Sequence, residues 1–159
     1  MSNITSVSSN YTNRTTDINI GGAKNPTTGG LAKLTFEFGA TSSVITGVQK
    51  LVQRYCISLM TTLTSQESTP TFGTAFATSI GGNVTASDIY HQLVFANNKI
   101  INEFREYQRT TTLDLPLDEQ IDTVTIKSLT YTVGVLNLQL SISTLAGNSV
   151  EYILPLPDL

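Results

Sequence analysis

The sequence predicts an α+β fold, with two main helices packed on one face of a largely antiparallel sheet and an extended N-terminal arm. Two stretches in the middle of the chain carry apolar residues at helical spacing, and the last third alternates polar and apolar residues as strands do. The first 30 residues do neither. Because 159 residues suit one domain, we expect an arm over residues 1–30, flexible or ordered by a partner, and a single α+β domain over residues 31–159.

The arm is polar and rich in glycine. Residues 1–16 are mostly Ser, Thr and Asn, which bury too little apolar surface to offset the entropy of ordering. The alternation in residues 16–20 predicts a short strand that carries Asp17 and Asn19. Residues 21–30 hold four glycines and one proline, which is typical of a flexible connector. We expect the arm to order on a partner, with Asp17 and Asn19 among its contacts.

The domain begins with a strand and the first helix. Lys33–Phe38 alternates and predicts a half-buried strand. Ser43–Leu63 has the i, i+3, i+4, i+7 spacing of an amphipathic helix. We expect three residues of its apolar stripe to be nearly fully buried against the second helix and the sheet. They are Leu51, Tyr55 and Leu59. Gly47 inside this stretch indicates either close packing or a later start.

The second helix is predicted over Ala86–Gln108, again from its apolar stripe. Thr85 or Ser87 can cap it, and Asp88 in the first turn suits the helix dipole.

The last third predicts three strands. They are Ile121–Val133, Leu136–Ile142 and Val150–Leu154. The apolar parity slips near Lys127–Ser128, which predicts a β-bulge that keeps both halves facing the core. Ala146–Ser149 has the composition of a hairpin turn. Pro155 and Pro157 are expected to end the pairing.

Composition excludes several classes of partner. Charged residues make up only 13% of the chain and the net charge is −3, so the chain lacks the basic face that nucleic acid requires. It also lacks the cationic surface that docks on an anionic membrane. No apolar run reaches the roughly 18 residues that span a bilayer, and the polar composition of residues 1–16 leads us to expect no secretory signal there. We expect neither nucleic acid nor membrane as a partner.

The sequence contains no recognisable catalytic or metal-binding constellation. Cys56 and His91 are the only cysteine and histidine; we interpret Cys56 as a small buried hydrophobe and His91 as a helix-surface or boundary residue, in separate helices. A structural zinc site normally needs four ligands. The acidic pairs are interpreted as solvated carboxylates, because nothing around them resembles the apolar pocket of a glycosidase. They are Glu103 with Glu106, and Asp114 with Asp118 and Glu119. We expect no cofactor, no metal and no enzymatic activity.

Two segments carry a family resemblance. Val48–Tyr55, followed after the helix by Pro70–Thr74, resembles the first helix and loop of the small baseplate wedge proteins of contractile phage tails. These proteins act as sheath initiators, are often labelled lysozyme-like, and have relatives in contractile injection systems. The resemblance covers roughly residues 33–155, by order of elements more than by identity. It implies a helix, a Pro-x-Phe-Gly-Ser/Thr loop, a second helix and a β-rich end.

The family's Glu-Pro-Arg motif falls on Asp118, Glu119 and Gln120, just before Ile121. The acid and the following Ile are matched, but the Pro and the Arg are missing. The resemblance therefore implies a wedge contact at Asp118, Glu119 and Gln120. The departure leaves open a divergent wedge component instead of the initiator itself.

The resemblance implies a structural protein of a bacteriophage tail. The expected role is a baseplate component, the sheath initiator, that templates sheath polymerisation by β-strand pairing with the tail sheath protein. Wedge and hub or tube proteins would be further partners, with six copies per tail, located in the virion baseplate after assembly in the host cytoplasm. The alternative is a non-contractile tail adaptor or a fibre or adhesin-type module.

The β-rich end is the expected contact with the sheath. We expect Leu136–Thr144 and Val150–Leu154 to form an interaction edge, because only Glu151 is charged between Lys127 and Asp158. The outward side chains of the first strand would take part. They are Asn137, Gln139, Ser141 and Ser143. The alternative is a hairpin buried within the monomer.

Overall fold

A computed structural model of the protein describes residues 15–18, 22–23, 34–35, 44–80, 85–132 and 135–157. The helices in these ranges are α1 (Gly47–Met60), α2 (Phe76–Ile80) and α3 (Ala86–Thr110), and a 3-10 turn spans Leu117–Glu119. The strands are β1 (Asp17–Ile18), β2 (Gly22–Ala23), β3 (Leu34–Thr35), β4 (Val44–Ile45), β5 (Ile121–Thr132), β6 (Val135–Thr144) and β7 (Ser149–Pro157). The predicted α+β class is confirmed.

The three long strands form one antiparallel sheet with β6 in the centre. The short strands make two separate antiparallel pairs, β1 with β4 and β2 with β3. Ile126, Leu140 and Tyr152 are partners across the sheet, in one row. Every second residue of β6 from Leu136 to Ile142 is buried, because these side chains face the helices. The three predicted strands are therefore present.

The predicted β-bulge is also present. The β5–β6 ladder shifts by one residue between Ile126 and Ser128, which leaves Lys127 without a partner in the ladder. Val124 and Leu129 consequently pack against the same core although they are an odd number of residues apart.

The connection between β6 and β7 is a three-residue hairpin loop. The N–H of Gly147 donates to the carbonyl of Thr144 at 2.9 Å, and the N–H of Thr144 donates to the carbonyl of Asn148 at 2.9 Å. Gly147 has a φ of +79°. This is a type I turn followed by a G1 bulge, in which glycine supplies the left-handed conformation. The turn begins slightly earlier in the chain than predicted.

The hairpin also explains the two prolines of β7. Along an antiparallel strand, successive residues direct their backbone N–H and C=O groups alternately toward the paired strand and away from it. Counting from the Thr144–Asn148 bond, even-numbered residues of β7 pair with β6, and odd-numbered residues direct their N–H and C=O groups outward. Pro155 and Pro157 are odd, so they lack only N–H groups that β6 does not use. Pairing runs on to Pro157, and the prediction that the prolines end it is wrong.

Both predicted main helices pack with the sheet around one core. Leu51, Tyr55 and Leu59 are 2%, 0% and 0% exposed, as predicted. α1 begins at Gly47, four residues later than predicted, because the residues before it form β4. Gly47 itself has a φ of +60°.

α3 begins with a capping box. The hydroxyl of Thr85 accepts from the N–H of Asp88 at 3.2 Å, and the Asp88 carboxylate accepts from the N–H of Thr85 at 3.1 Å. The hydrogen bonds from Thr85 lower the pKa of Asp88. The predicted N-terminus of this helix is therefore confirmed. No helix in the described ranges is both long enough and apolar enough to cross a membrane.

The loop between α1 and α2 folds back on α1. The hydroxyl of Thr74 donates to the carbonyl of Leu59 at 2.8 Å and accepts from the N–H of Phe76 at 3.2 Å. The Thr74 hydroxyl thus binds a carbonyl at the C-terminal end of α1 and caps the first N–H group of α2. Gly73 has a φ of +93°, and a Cβ there would lie 2.4 Å from the carbonyl oxygen of Thr61. The Gly-Thr pair of the Pro-x-Phe-Gly-Thr loop therefore has a structural role.

Candidate partner interface

Two carboxylates predicted to face solvent are buried. Asp118 is 0% exposed and Glu119 is 6% exposed, because the 3-10 turn that carries them packs against α1. Their interpretation as solvated carboxylates is wrong, whereas Asp114 and Glu106 are exposed. Because both side chains are buried, a partner that docks on the surface of this turn would not contact Asp118 or Glu119 directly.

Glu119 caps α1 from 72 residues away in the chain. Its Oε1 accepts from the N–H of Gly47 at 3.1 Å, at the helix end where the backbone N–H groups are unpaired and the dipole is positive. The helix has no side-chain cap from its own Thr46. The nonlocal carboxylate therefore replaces the missing local cap.

The same carboxylate contacts the N-terminal segment. The hydroxyl of Thr15 donates to Oε2 of Glu119 and accepts from Nζ of Lys50. Nζ of Lys50 lies 3.7 Å from the same Oε2. Nearby, Nε2 of Gln53 donates to Oδ2 of Asp17 at 3.5 Å. The structure thus brings the predicted contact residues Asp17 and Glu119 to one end of α1.

Two more of the predicted contact residues are Asn19 and Gln120. Asn19 lies outside the described residues. Nε2 of Gln120 donates to the carbonyl of Leu115 at 2.7 Å, and the carbonyl of Gln120 accepts from the N–H of Leu145 at 3.1 Å. Gln120 therefore ties the 3-10 turn to the β6–β7 hairpin.

The polar side chains of β6 form a second, separate group. Asn137, Gln139 and Ser143 are half-buried on the face of the sheet that points away from the helices. Ser141 lies on the same outward face, as predicted, but it is only 9% exposed. Its side chain is short and lies in the central strand between its ladder partners Thr125 and Glu151.

A salt bridge crosses above this position. Nζ of Lys127 on β5 lies 3.9 Å from Oε1 of Glu151 on β7, and Glu151 is the ladder partner of Ser141. Both charged side chains are about half exposed, so the pair adds little stability. The pair spans the centre of a face that otherwise carries mainly hydroxyl and amide side chains.

The prediction that Leu136–Thr144 forms an edge is wrong, because β6 is the central strand. The edges of the long sheet are β5 and β7. The start of the β5 edge is occupied by three side chains of α3 that donate to its carbonyls. They are Asn97 to Val124 at 3.2 Å, Arg105 to Asp122 at 2.6 Å and Gln108 to Ile121 at 3.5 Å.

The β7 edge is the more open one. Among the described strands only β6 pairs with β7, although Cα atoms of β3 lie within 8 Å of it. The alternation derived above directs the N–H groups of Ser149, Glu151 and Ile153 outward. Beyond Ile153 the prolines leave only carbonyl acceptors on this edge. The part of the prediction that concerns Val150–Leu154 therefore retains a structural basis.

Sequence reasoning missed an exposed apolar surface beside the 3-10 turn. Leu113, Leu117 and Leu145 are 56%, 48% and 50% exposed, and the N–H of Ala146 donates to the carbonyl of Leu117 at 3.2 Å. Leu145 also lines an open groove of about 790 Å³ with charged residues of α3. Leucines in turns have no periodicity, so the pattern gave no signal for them.

Among the described residues, the side chains that could react or bind a metal do not come together in one site. Burial raises the pKa of the Cys56 thiol to about 12, which keeps it protonated and unreactive. His91 is exposed on α3, in edge contact with Tyr90, as predicted. In the described part of the chain, no three His, Cys, Asp or Glu side chains are placed to hold a metal ion.

No family model, no curated protein and no solved structure matches this chain.

Proposed function

We propose that this chain is a structural component of a contractile-tail baseplate, the sheath initiator, and that it pairs with sheath subunits through the β7 edge. The proposal combines the resemblance of its first helix and loop with the geometry of its last strand. It assigns the protein a role in assembly, without catalysis and without a cofactor.

The proposal is supported by the main-chain groups that point outward from the β7 edge. Ser149, Glu151 and Ile153 offer N–H and C=O groups that β6 does not use. An added strand gains affinity from such main-chain groups, so a sparsely charged, hydroxyl-rich sequence suffices. Glu151 is the only charge on this strand, so the part of the edge before Pro155 is weakly defended, and such an edge is a hazard unless a partner covers it.

A proline at position 151 tests this edge directly. Glu151→Pro removes one outward N–H and keeps the β6–β7 ladder, as Pro155 and Pro157 already do in the same strand. Glu151→Ala is the matched control, because it removes the same side chain and the Lys127 salt bridge but retains the N–H. Each variant is mixed with purified sheath protein and tail tube, and ring or tube formation is scored by electron microscopy, with thermal melting to check folding.

We expect Glu151→Ala to nucleate sheath like the unmodified chain and Glu151→Pro to lose nucleation at an unchanged melting temperature. Equal nucleation by the two variants would exclude strand addition at β7. If the unmodified chain never co-assembles with a sheath protein, the contractile-tail role is wrong and a non-contractile adaptor or fibre module takes its place.

A further inference from the structure

We propose that the Glu119 carboxylate is a releasable latch, which holds the N-terminal strand β1 on the domain so that residues 15–18 undock as a unit while the core stays folded. The proposal concerns this chain alone and does not depend on the baseplate role.

The latch joins two parts of the chain through one side chain. Oε1 of Glu119 accepts from the N–H of Gly47, which belongs to α1, and Oε2 accepts from the hydroxyl of Thr15, which belongs to the N-terminal segment. Lys50 binds both the hydroxyl and the carboxylate. Hydrogen bonds to a charged group are about twice as strong as neutral ones, and the side chain of Glu119 is 4% exposed.

The strand that the latch holds is short. β1 pairs with β4 over two residues, Asp17 with Ile45 and Ile18 with Val44. A two-stranded ribbon of this size is not stable by itself in water. Docking of the segment therefore depends on the side-chain contacts around Glu119.

The core does not depend on the segment. The hydrophobic cluster of the described residues begins at Val48 and runs through α1, α3 and the long sheet. Elements with few buried apolar contacts open locally at a fraction of the global free energy of unfolding. Thr15 and Asp17 are not members of this cluster.

Amide hydrogen exchange of the full chain tests the latch. Thr15→Val removes the hydroxyl that links the segment to Glu119 and Lys50. Glu119→Gln keeps an acceptor for Gly47 but places an amide where Lys50 needs a negative charge. Glu67→Gln, at an exposed carboxylate in the loop after α1, is the control.

We expect exchange in residues 15–18 to become about tenfold faster or more in Thr15→Val and Glu119→Gln, with β6 amides and the control unchanged. Unchanged exchange at residues 15–18 in Thr15→Val would overturn the latch. So would a parallel increase in β6, because the segment would then open only with the whole domain. Thr15→Val decides the matter alone if Glu119→Gln fails to fold.

Discussion

The hydroxyl of Tyr55 donates a hydrogen bond to Oδ1 of Asn97 at 2.8 Å, inside the core between α1 and α3. Asn97 also binds the sheet, because its Nδ2 donates to the carbonyl of Val124 on β5 at 3.2 Å. One amide side chain thus satisfies a helix and a strand edge at the same time. Buried polar groups with complete partners hold elements in one specific arrangement.

Tyr55→Phe should destabilise the protein by about 1–3 kcal/mol, because Oδ1 of Asn97 is left buried without its donor. The measurement is urea unfolding followed by circular dichroism. A double-mutant cycle with Asn97→Ala should give a coupling energy of about 0.5–3 kcal/mol. Additive effects would mean that the two side chains act independently.

Tyr152→Phe should change the stability in the opposite direction. The hydroxyl of Tyr152 is buried, has no hydrogen-bond partner of normal geometry among the described residues, and lies beside the weakly accepting thiol of Cys56. Removing an unsatisfied buried hydroxyl should stabilise the protein by about 1 kcal/mol. The melting temperature should therefore rise for Tyr152→Phe and fall for Tyr55→Phe, and a fall in both would contradict this account.

The two tyrosines show where sequence reasoning succeeds and where it stops. The helical spacing placed Tyr55 in the core, and the alternation in the last third placed Tyr152 on a strand. Periodicity reports which face a residue occupies, not which atom it meets. The pairing of Tyr55 with Asn97 and the position of the Tyr152 hydroxyl beside the Cys56 thiol are tertiary facts, fixed only when α1, α3 and β7 pack together.

The candidate interface was predicted less well, for a related reason. The polar alternation in β6 was read correctly, but the order of strands in a sheet is not encoded in the period of any one strand. Glu119 was misread because a carboxylate in a turn is usually solvated, whereas here it meets the end of a helix from a remote part of the chain.

Gly73→Ala should destabilise the loop after α1 strongly. The residue has a φ of +93°, and a Cβ would lie 2.4 Å from the backbone oxygen of Thr61, so the backbone must move. Gly147→Ala is the matched comparison, since its φ is +79° but nothing lies within 4 Å of an added Cβ. We expect a loss of about 1–2 kcal/mol for Gly147→Ala and a larger loss for Gly73→Ala, measured by thermal melting. Equal losses would show that the close contact is relieved at no cost.

Stability should fall in alkaline solution through Cys56. Burial raises the pKa of its thiol to about 12 in the folded protein, against about 8.5 in an unfolded chain. Between these values the unfolded state gives up a proton that the folded state keeps, so the free energy of unfolding decreases as pH rises, by up to about 1.4 kcal/mol per pH unit. Below about pH 8.5 the shift has no effect on stability.

Denaturant unfolding at pH 7, 8.5, 9 and 10 checks this expectation. Cys56→Ala should lower stability at every pH, because it removes buried volume, but should flatten the decline between about pH 8.5 and 9. Nearer pH 10, Tyr55 and Tyr152 add to the decline, because burial also raises the pKa of each hydroxyl above its usual value. A decline of the same slope in both proteins would assign the alkaline sensitivity to other groups.

The capping of α1 by Glu119 sets an order of events during synthesis. α3 carries its own capping box, so its first turn can close as soon as those residues leave the ribosome. Gly47 waits for a carboxylate that follows 72 residues later, which at about 5–20 residues per second is a delay of roughly 4–14 s. Until then the first turn of α1 lacks its carboxylate cap, and the N-terminal segment lacks its contact with Glu119. Residues 15–18, which are made before α1, thus complete their contact with Glu119 only after the 3-10 turn has formed.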